Sequence, residues 1–240
     1  MSERLAKLHA TGNDFLVWSA RDSAAPAADV EAFARAVCDR HTGIGADGLI
    51  LLTPGADGAD ATMTLHNADG HIAEMSGNGI RCLAWVAARD GFAGDTLVVD
   101  TGSGRRIVDL TRAADGIVTA ATVDMGPAAT GPSPDRPSEA VAGERKRATF
   151  DLGNPHLVLL VDDPTTARVT QHGPHLEHDP RFPRRTNVEF VAPDGHGGVR
   201  MRVWERGVGE TLSCGTGACA AAAVAHRRGL AGDRVTGWLL

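Results

Sequence analysis

Two short segments of this chain repeat one pattern, Ser76-Gly77-Asn78-Gly79 and Cys214-Gly215-Thr216-Gly217. They lie 138 residues apart (214 minus 76). Each offers a small side chain with a transferable proton, then a Gly-x-Gly pair, then an Ala-rich run of helix-forming residues. In a chain of 240 residues each copy falls late in its own half. Internal similarity of this kind predicts two similar domains, and the length allows them. The expected boundary places residues 1–122 in the first domain and 123–240 in the second.

The flanking residues give each half the same plan. In the first half, strands are expected at Leu5 to Leu8 and Phe15 to Ser19, around a turn at Thr11-Gly12-Asn13-Asp14. Val30, Phe33, Ala34, Val37 and Cys38 share one helical face, and Asp29 is placed to cap that helix. A glycine-rich loop, Gly43 to Gly48, precedes a strand at Leu49 to Leu52. Thr62 to His66 alternates as a strand and runs into the turn Asn67-Ala68-Asp69-Gly70. A helix follows from about Gly79 to Arg89, then a hairpin around Thr101-Gly102-Ser103-Gly104. Gly126 to Pro137 reads as a loop or linker. In the second half, strands are expected at Ala148 to Asp151, Leu157 to Val161, Val188 to Val191 and Val199 to Trp204. A short helix starts near Gly173. A last helix runs from about Gly217 to Arg228, ended by Gly229.

Composition narrows the chemistry. Apolar residues make up 42% of the chain and the formal net charge is −6. With no basic block, a nucleic-acid surface is not expected. The longest apolar run, Ala218 to Ala225, is far too short to cross a bilayer, and Met1 to Arg4 leads into no apolar signal region, so a soluble cytoplasmic protein is expected. Four cysteines (Cys38, Cys82, Cys214, Cys219) without zinc-like spacing suggest neither a disulfide framework nor a metal site. Cys82 and Cys219 fall inside expected helices and read as packing residues.

The paired segments carry the chemistry. A residue just before a helix sits where backbone N–H groups point outward and the helix dipole is positive. A cysteine there is expected to form thiolate more readily, and a substrate carboxylate can be held by the same N–H groups. Two such sites around one carboxylate suggest proton removal on one face of an α-carbon and return on the other. That is racemisation or epimerisation, with no metal or cofactor required.

Over nearly its whole length the chain resembles diaminopimelate epimerase. The matching stretches are Thr11 to Phe15, Gly43 to Gly48, Asn67 to Gly70, Glu74 to Cys82, Gly153 to His156, Arg185 to Phe190, Trp204 to Gly207, and Glu210-Thr211 through Cys214 to Gly217. The resemblance implies an α/β (α+β) fold of two similar domains related by pseudo-two-fold symmetry. Each is a curled β-sheet around a central helix, with the site in the cleft. It implies cofactor-independent interconversion of LL- and meso-2,6-diaminopimelate, in lysine and peptidoglycan precursor synthesis, by a homodimer. It puts Ser76 and Cys214 at the two acid/base positions. Gly77, Asn78, Gly215 and Thr216 match the positions whose backbone holds the reacting carboxylate. Asn13, Asn67, Asn154 and Asn187 match substrate-binding asparagines, and Glu205 and Arg206 the pair that grips amine and carboxylate. His156 matches a histidine near the catalytic centre.

Two features depart from the family pattern. Ser76 stands where the family has cysteine, and a hydroxyl is far less acidic than a thiol and usually needs an adjacent base. Three readings follow: a natural variant that still epimerises with help from His156 or Glu205, an engineered inactivation that traps ligand, or drift to another reaction or to binding alone. A related racemase or dehydratase of another amino acid belongs to the last reading. The chain also stops at Val235 to Leu240, where the family continues with further strands. Unpaired sheet edges and reduced stability are the expected consequence.

Overall fold

The computed structural model describes residues 4–21, 29–92, 94–132 and 140–240. Two compact units emerge, Met1–Asp124 and Met125–Leu240, and each contains one sheet.

In the first unit, β1 (Leu5–Ala10) and β2 (Asn13–Ser19) form a hairpin. Its two turn residues, Thr11 and Gly12, both have positive φ, 52° and 87°. A two-residue turn of that hand follows the twist of the strands. Helix α1 (Val30–Cys38) is capped by the Asp29 carboxylate, which accepts from Ala32 N–H. It carries the chain over to β3 (Gly48–Pro54), parallel to β2, and β4 (Ala61–Asn67) returns antiparallel. The short β5 (Ile72–Ala73) adds to β4 and leads into α2 (Gly77–Arg89). Then β6 (Thr96–Thr101) lies parallel to β4, and β7 (Gly104–Arg112) and β8 (Val118–Val123) complete the sheet. Helix α2 packs against β1, β2, β3, β4, β7 and β8, so the sheet curls around it.

The second unit repeats this sequence of events. A hairpin of β10 (Glu144–Asp151) and β11 (Pro155–Val161) is followed by α3 (Val169–Glu177) and by β12 (Asn187–Pro193), parallel to β11. Next, β13 (Val199–Glu205) returns antiparallel, and β14 (Gly209–Thr211) adds to it. Helix α4 (Gly215–Arg227) follows, and β15 (Gly237–Leu239) lies parallel to β13. The two central helices end alike as well as start alike. Gly91 and Gly229 have φ of 69° and 67°, and Phe92 and Leu230 each donate a backbone hydrogen bond back to Ala87 and Ala225. This is the glycine-terminated helix end that satisfies orphan carbonyls.

Strand β11 is buried along its whole length. Alternation then sorts its side chains between two cores. Leu157, Leu159 and Val161 join Val188 and Phe190 on the α3 face, while Val158 and Leu160 join Val191, Met201 and Val203 on the α4 face. The polar residues follow the same parity, so His156, Glu189 and Glu205 fall on the α4 face.

Two expectations need correction. Helix α3 begins at Val169, not near Gly173. Its N-cap, Arg168, makes no side-chain capping bond, so the usual start signal is missing. Gly173 is there for packing: a Cβ on it would lie 2.5 Å from ring atoms of Trp204. Within Gly126 to Pro137, the stretch read as loop contains β9 (Ala129–Thr130), which pairs with Phe150 and Asp151; residues 133–137 lie outside the described residues. Strand β8 had no sequence signal because its Ala and Thr side chains give little hydrophobic contrast. Among the described residues, no helix is long and apolar enough to cross a membrane.

Candidate active site

The repeat seen in the sequence is a repeat of helix starts. Ser76 caps α2 with φ −137° and ψ 120°, and its Oγ accepts from Gly79 N–H at 3.0 Å. Cys214 caps α4 with φ −129° and ψ 114°, and its Sγ accepts from Gly217 N–H at 3.3 Å. The second glycine of each pair admits a side chain from the strand beneath. A Cβ on Gly79 would meet Ile50 Cδ1 at 3.1 Å, and one on Gly217 would meet Glu189 Oε1 at 2.8 Å.

Strand register makes the match residue by residue. Phe15 pairs with Gly48 across β2 and β3, as His156 pairs with Asn187 across β11 and β12. It follows that Asn13 corresponds to Asn154, Phe15 to His156, Gly48 to Asn187 and Ile50 to Glu189. Asn67 and Glu205 correspond as the last residues of β4 and β13.

Around Cys214 the polar side chains form one chain of contacts. Thr216 Oγ1 lies 3.4 Å from Cys214 Sγ and accepts from Asn154 Nδ2 at 3.2 Å. Asn154 Oδ1 meets His156 Nε2 at 2.9 Å, and His156 Nδ1 meets Glu189 Oε1 at 2.7 Å. Both ring nitrogens of His156 are therefore engaged, one by Asn154 and the other by the Glu189 carboxylate. Both members of the His156–Glu189 pair are fully buried.

Around Ser76 the corresponding chain is more open. Asn78 Nδ2 donates to Asn13 Oδ1 at 3.3 Å, and Asn13 Nδ2 donates to Asp47 Oδ2 at 2.7 Å. Arg40 bridges Asp47 and Asp14 at 2.7 Å each. Arg81 also donates to Asn78 Oδ1 and, at 3.1 Å, to Gly77 O. Phe15 and Ile50 take the places that His156 and Glu189 hold in the second unit.

The remaining expected residues divide between binding and support. Asn67 closes its turn through the backbone, receiving Gly70 N–H and donating to His71 O. The Asn187 amide donates to Pro155 O at 3.0 Å and accepts Arg206 N–H at 2.9 Å. It therefore holds the turn that presents Glu205 and Arg206. Glu205 accepts from the Thr211 hydroxyl, and Arg206 donates to Arg184 O at 3.0 Å. Cys82 is buried within α2 and Cys219 half-buried within α4. Among the described residues, no cluster of His, Cys, Asp and Glu is arranged to hold a metal.

Three carboxylates escaped the sequence reading. Asp47 anchors Asn13, Glu189 anchors His156, and Glu177 accepts from Trp204 Nε1 at 2.7 Å, Gly207 N–H at 2.9 Å and Arg185 at 3.1 Å. Glu189 did leave a signal, an acidic residue inside the apolar run Val188 to Ala192.

The thiol of Cys214 differs from expectation. Burial pushes it well above the ordinary 9.0, and the charges of Glu205 and Glu189 push the same way. The Thr216 and Gly217 hydrogen bonds lower it, but desolvation outweighs them. The resting group is a thiol, poised to donate a proton.

Comparison with known proteins came out as follows. The sequence profile described as "Diaminopimelate epimerase" matches residues 5–130 and 148–236. A diaminopimelate epimerase of Moorella thermoacetica is 46% identical over 247 residues, covering 96% of this chain and 86% of the relative. One of Synechococcus elongatus is 44% identical, covering 92% and 81%. Among solved structures, a predicted epimerase from Pseudomonas aeruginosa superposes with a TM-score of 0.69 at 21% identity, covering 96% of this chain and 83% of that one. A hydroxyproline epimerase from Agrobacterium vitis does so with 0.65 at 20% identity, covering 94% and 77%. At such identities these two establish the fold.

Proposed function

The chain belongs to the diaminopimelate epimerase family, and on that premise we propose that it interconverts LL- and meso-2,6-diaminopimelate by proton transfer at Cys214 and Ser76. It is an isomerase that works without a cofactor. The observation that carries the site assignment is the pair of matched helix caps. Each sets a proton-bearing side chain at a helix N-terminus, backed by an asparagine on the adjoining hairpin.

The substrate α-carboxylate binds at the backbone N–H groups of Gly77, Asn78, Gly215 and Thr216, where the helix dipoles favour an anion. Neutralising that carboxylate makes the α-proton easier to remove. Cys214 exchanges a proton on one face of the α-carbon and Ser76 on the other. Asn13, Asn67, Asn154 and Asn187 serve the polar groups of the substrate. Glu205 pairs with an ammonium and Arg206 with a carboxylate, which a guanidinium can bind through two parallel hydrogen bonds. Asn187 also holds the turn that presents Glu205 and Arg206.

Ser76 limits the rate. Its hydroxyl gives up a proton less readily than a thiol, and Phe15 and Ile50 beneath it offer no base. The reading includes a cytoplasmic enzyme, as expected from the sequence, and a homodimer, as the family resemblance implies; light scattering on the purified chain tests the dimer.

The direct test is incubation with LL-diaminopimelate in deuterated water. Formation of the meso isomer with deuterium at one α-carbon is the expected result. Tight binding with neither deuterium uptake nor meso product would replace the epimerase by a binding protein.

A further inference from the structure

The His156–Glu189 pair is not something this fold requires. The first unit builds the same two strands, in the same register, with Phe15 and Ile50 at the corresponding positions. Both apolar side chains are buried there. A histidine and a carboxylate taken wholly out of water carry a desolvation cost that an apolar pair avoids. Glu189 Oε2, moreover, is buried without a hydrogen-bond partner among the described residues. A costly, partly unsatisfied pair is retained in one half only, and that half carries the thiol.

Its geometry shows what it does there. Glu189 Oε1 fixes the ring of His156 at 2.7 Å, the other ring nitrogen fixes Asn154, and Asn154 fixes the Thr216 hydroxyl beside Cys214 Sγ. Glu189 also lies directly under Gly217, in the first turn of α4. A carboxylate there is favoured by the helix dipole and braces the turn that carries Cys214 and Thr216.

We propose that Glu189 is a positioning residue for the reaction at Cys214, acting through His156, Asn154 and Thr216. This rests on the reading of Cys214 as a reacting thiol. Neutral Glu189→Gln keeps the shape and loses the charge. It is expected to lower kcat about tenfold or more in both directions while KM changes less than about twofold. Ultraviolet titration of the Cys214 thiolate, with Cys214→Ala as the blank, is expected to move to lower pH in this variant, because a negative charge beside the sulfur is gone. Slower turnover with easier thiolate formation separates placement from acidity.

The combined variant His156→Phe with Glu189→Ile installs the pair that the first unit already packs. It is expected to fold and to show the same kcat loss. Adding Glu189→Gln to His156→Phe is expected to cost less than about twofold more, since the two act as one unit. Wild-type kcat and an unmoved thiolate titration in Glu189→Gln would overturn the proposal, as would fully multiplicative losses. Should the wild-type chain neither exchange the α-proton nor form the meso isomer, the function reading fails by itself. The thiolate titration then still decides whether Glu189 governs Cys214.

Discussion

At residue scale, Ser76 and Cys214 occupy one backbone conformation and accept one equivalent N–H each, yet differ in the proton they hold. The buried Cys214 thiol is pushed well above 9.0 by desolvation and by two carboxylates. A base must be deprotonated to act, so turnover by a Cys214 thiolate rises with pH. We expect the rate in the direction where Cys214 removes the α-proton to climb into the alkaline range beyond the ordinary thiol value of 9.0. A pH–rate profile that peaks near neutrality would contradict this. Ser76→Cys is expected to raise kcat at least about tenfold, roughly 1.4 kcal/mol off the barrier, because a thiol at a helix N-terminus is the better acid and base. Unchanged turnover in this variant, with Cys214→Ala inactive, would mean that chemistry runs from one face alone.

At the scale of elements, glycines mark where helices meet strands. Gly79 and Gly217 let α2 and α4 settle over Ile50 and Glu189. Gly173 does the same for α3 over Trp204, whose indole N–H is held by Glu177 at the end of that helix. The interlock fixes the Glu205-Arg206-Gly207 turn, since Glu177 also takes Gly207 N–H. Gly173→Ala would put a methyl group 2.5 Å from the ring. Overpacking of this sort costs about 1–3 kcal/mol. A lowered urea midpoint, together with a raised KM for diaminopimelate, is the expected result. A variant with wild-type stability would show that α3 yields without moving Trp204.

At the scale of the whole molecule, two buried thiols of the first unit make stability pH-dependent. Burial pushes Cys38 and Cys82 up to about 11 from 9.0. In the unfolded chain these groups lose their protons near 9, while the folded chain keeps them to about 11. The folded state then binds more protons, so stability is full below about 9 and falls as pH rises toward 11. The full loss amounts to roughly 3 kcal/mol per thiol. Urea midpoints measured from neutral pH upward should fall through that window. Cys82→Ala should start lower and fall less steeply; an equal slope would assign the effect elsewhere.

The sequence by itself determined the duplicated plan, the two helix starts and most of the strands. Those signals are local: hydrophobic period, Gly-x-Gly before an Ala-rich run, Asp29 as a cap, Gly229 as a stop. It also determined the family, because eight motifs in order leave little freedom. Tertiary structure alone decided what stands beneath each helix start. Phe15 with Ile50, and His156 with Glu189, become partners only through the pairing of parallel strands joined by a helix, which no local pattern encodes. Tertiary structure also set the state of Cys214. Helix position argues for a thiolate, but burial and two carboxylates from distant strands argue against it, and desolvation is the larger effect.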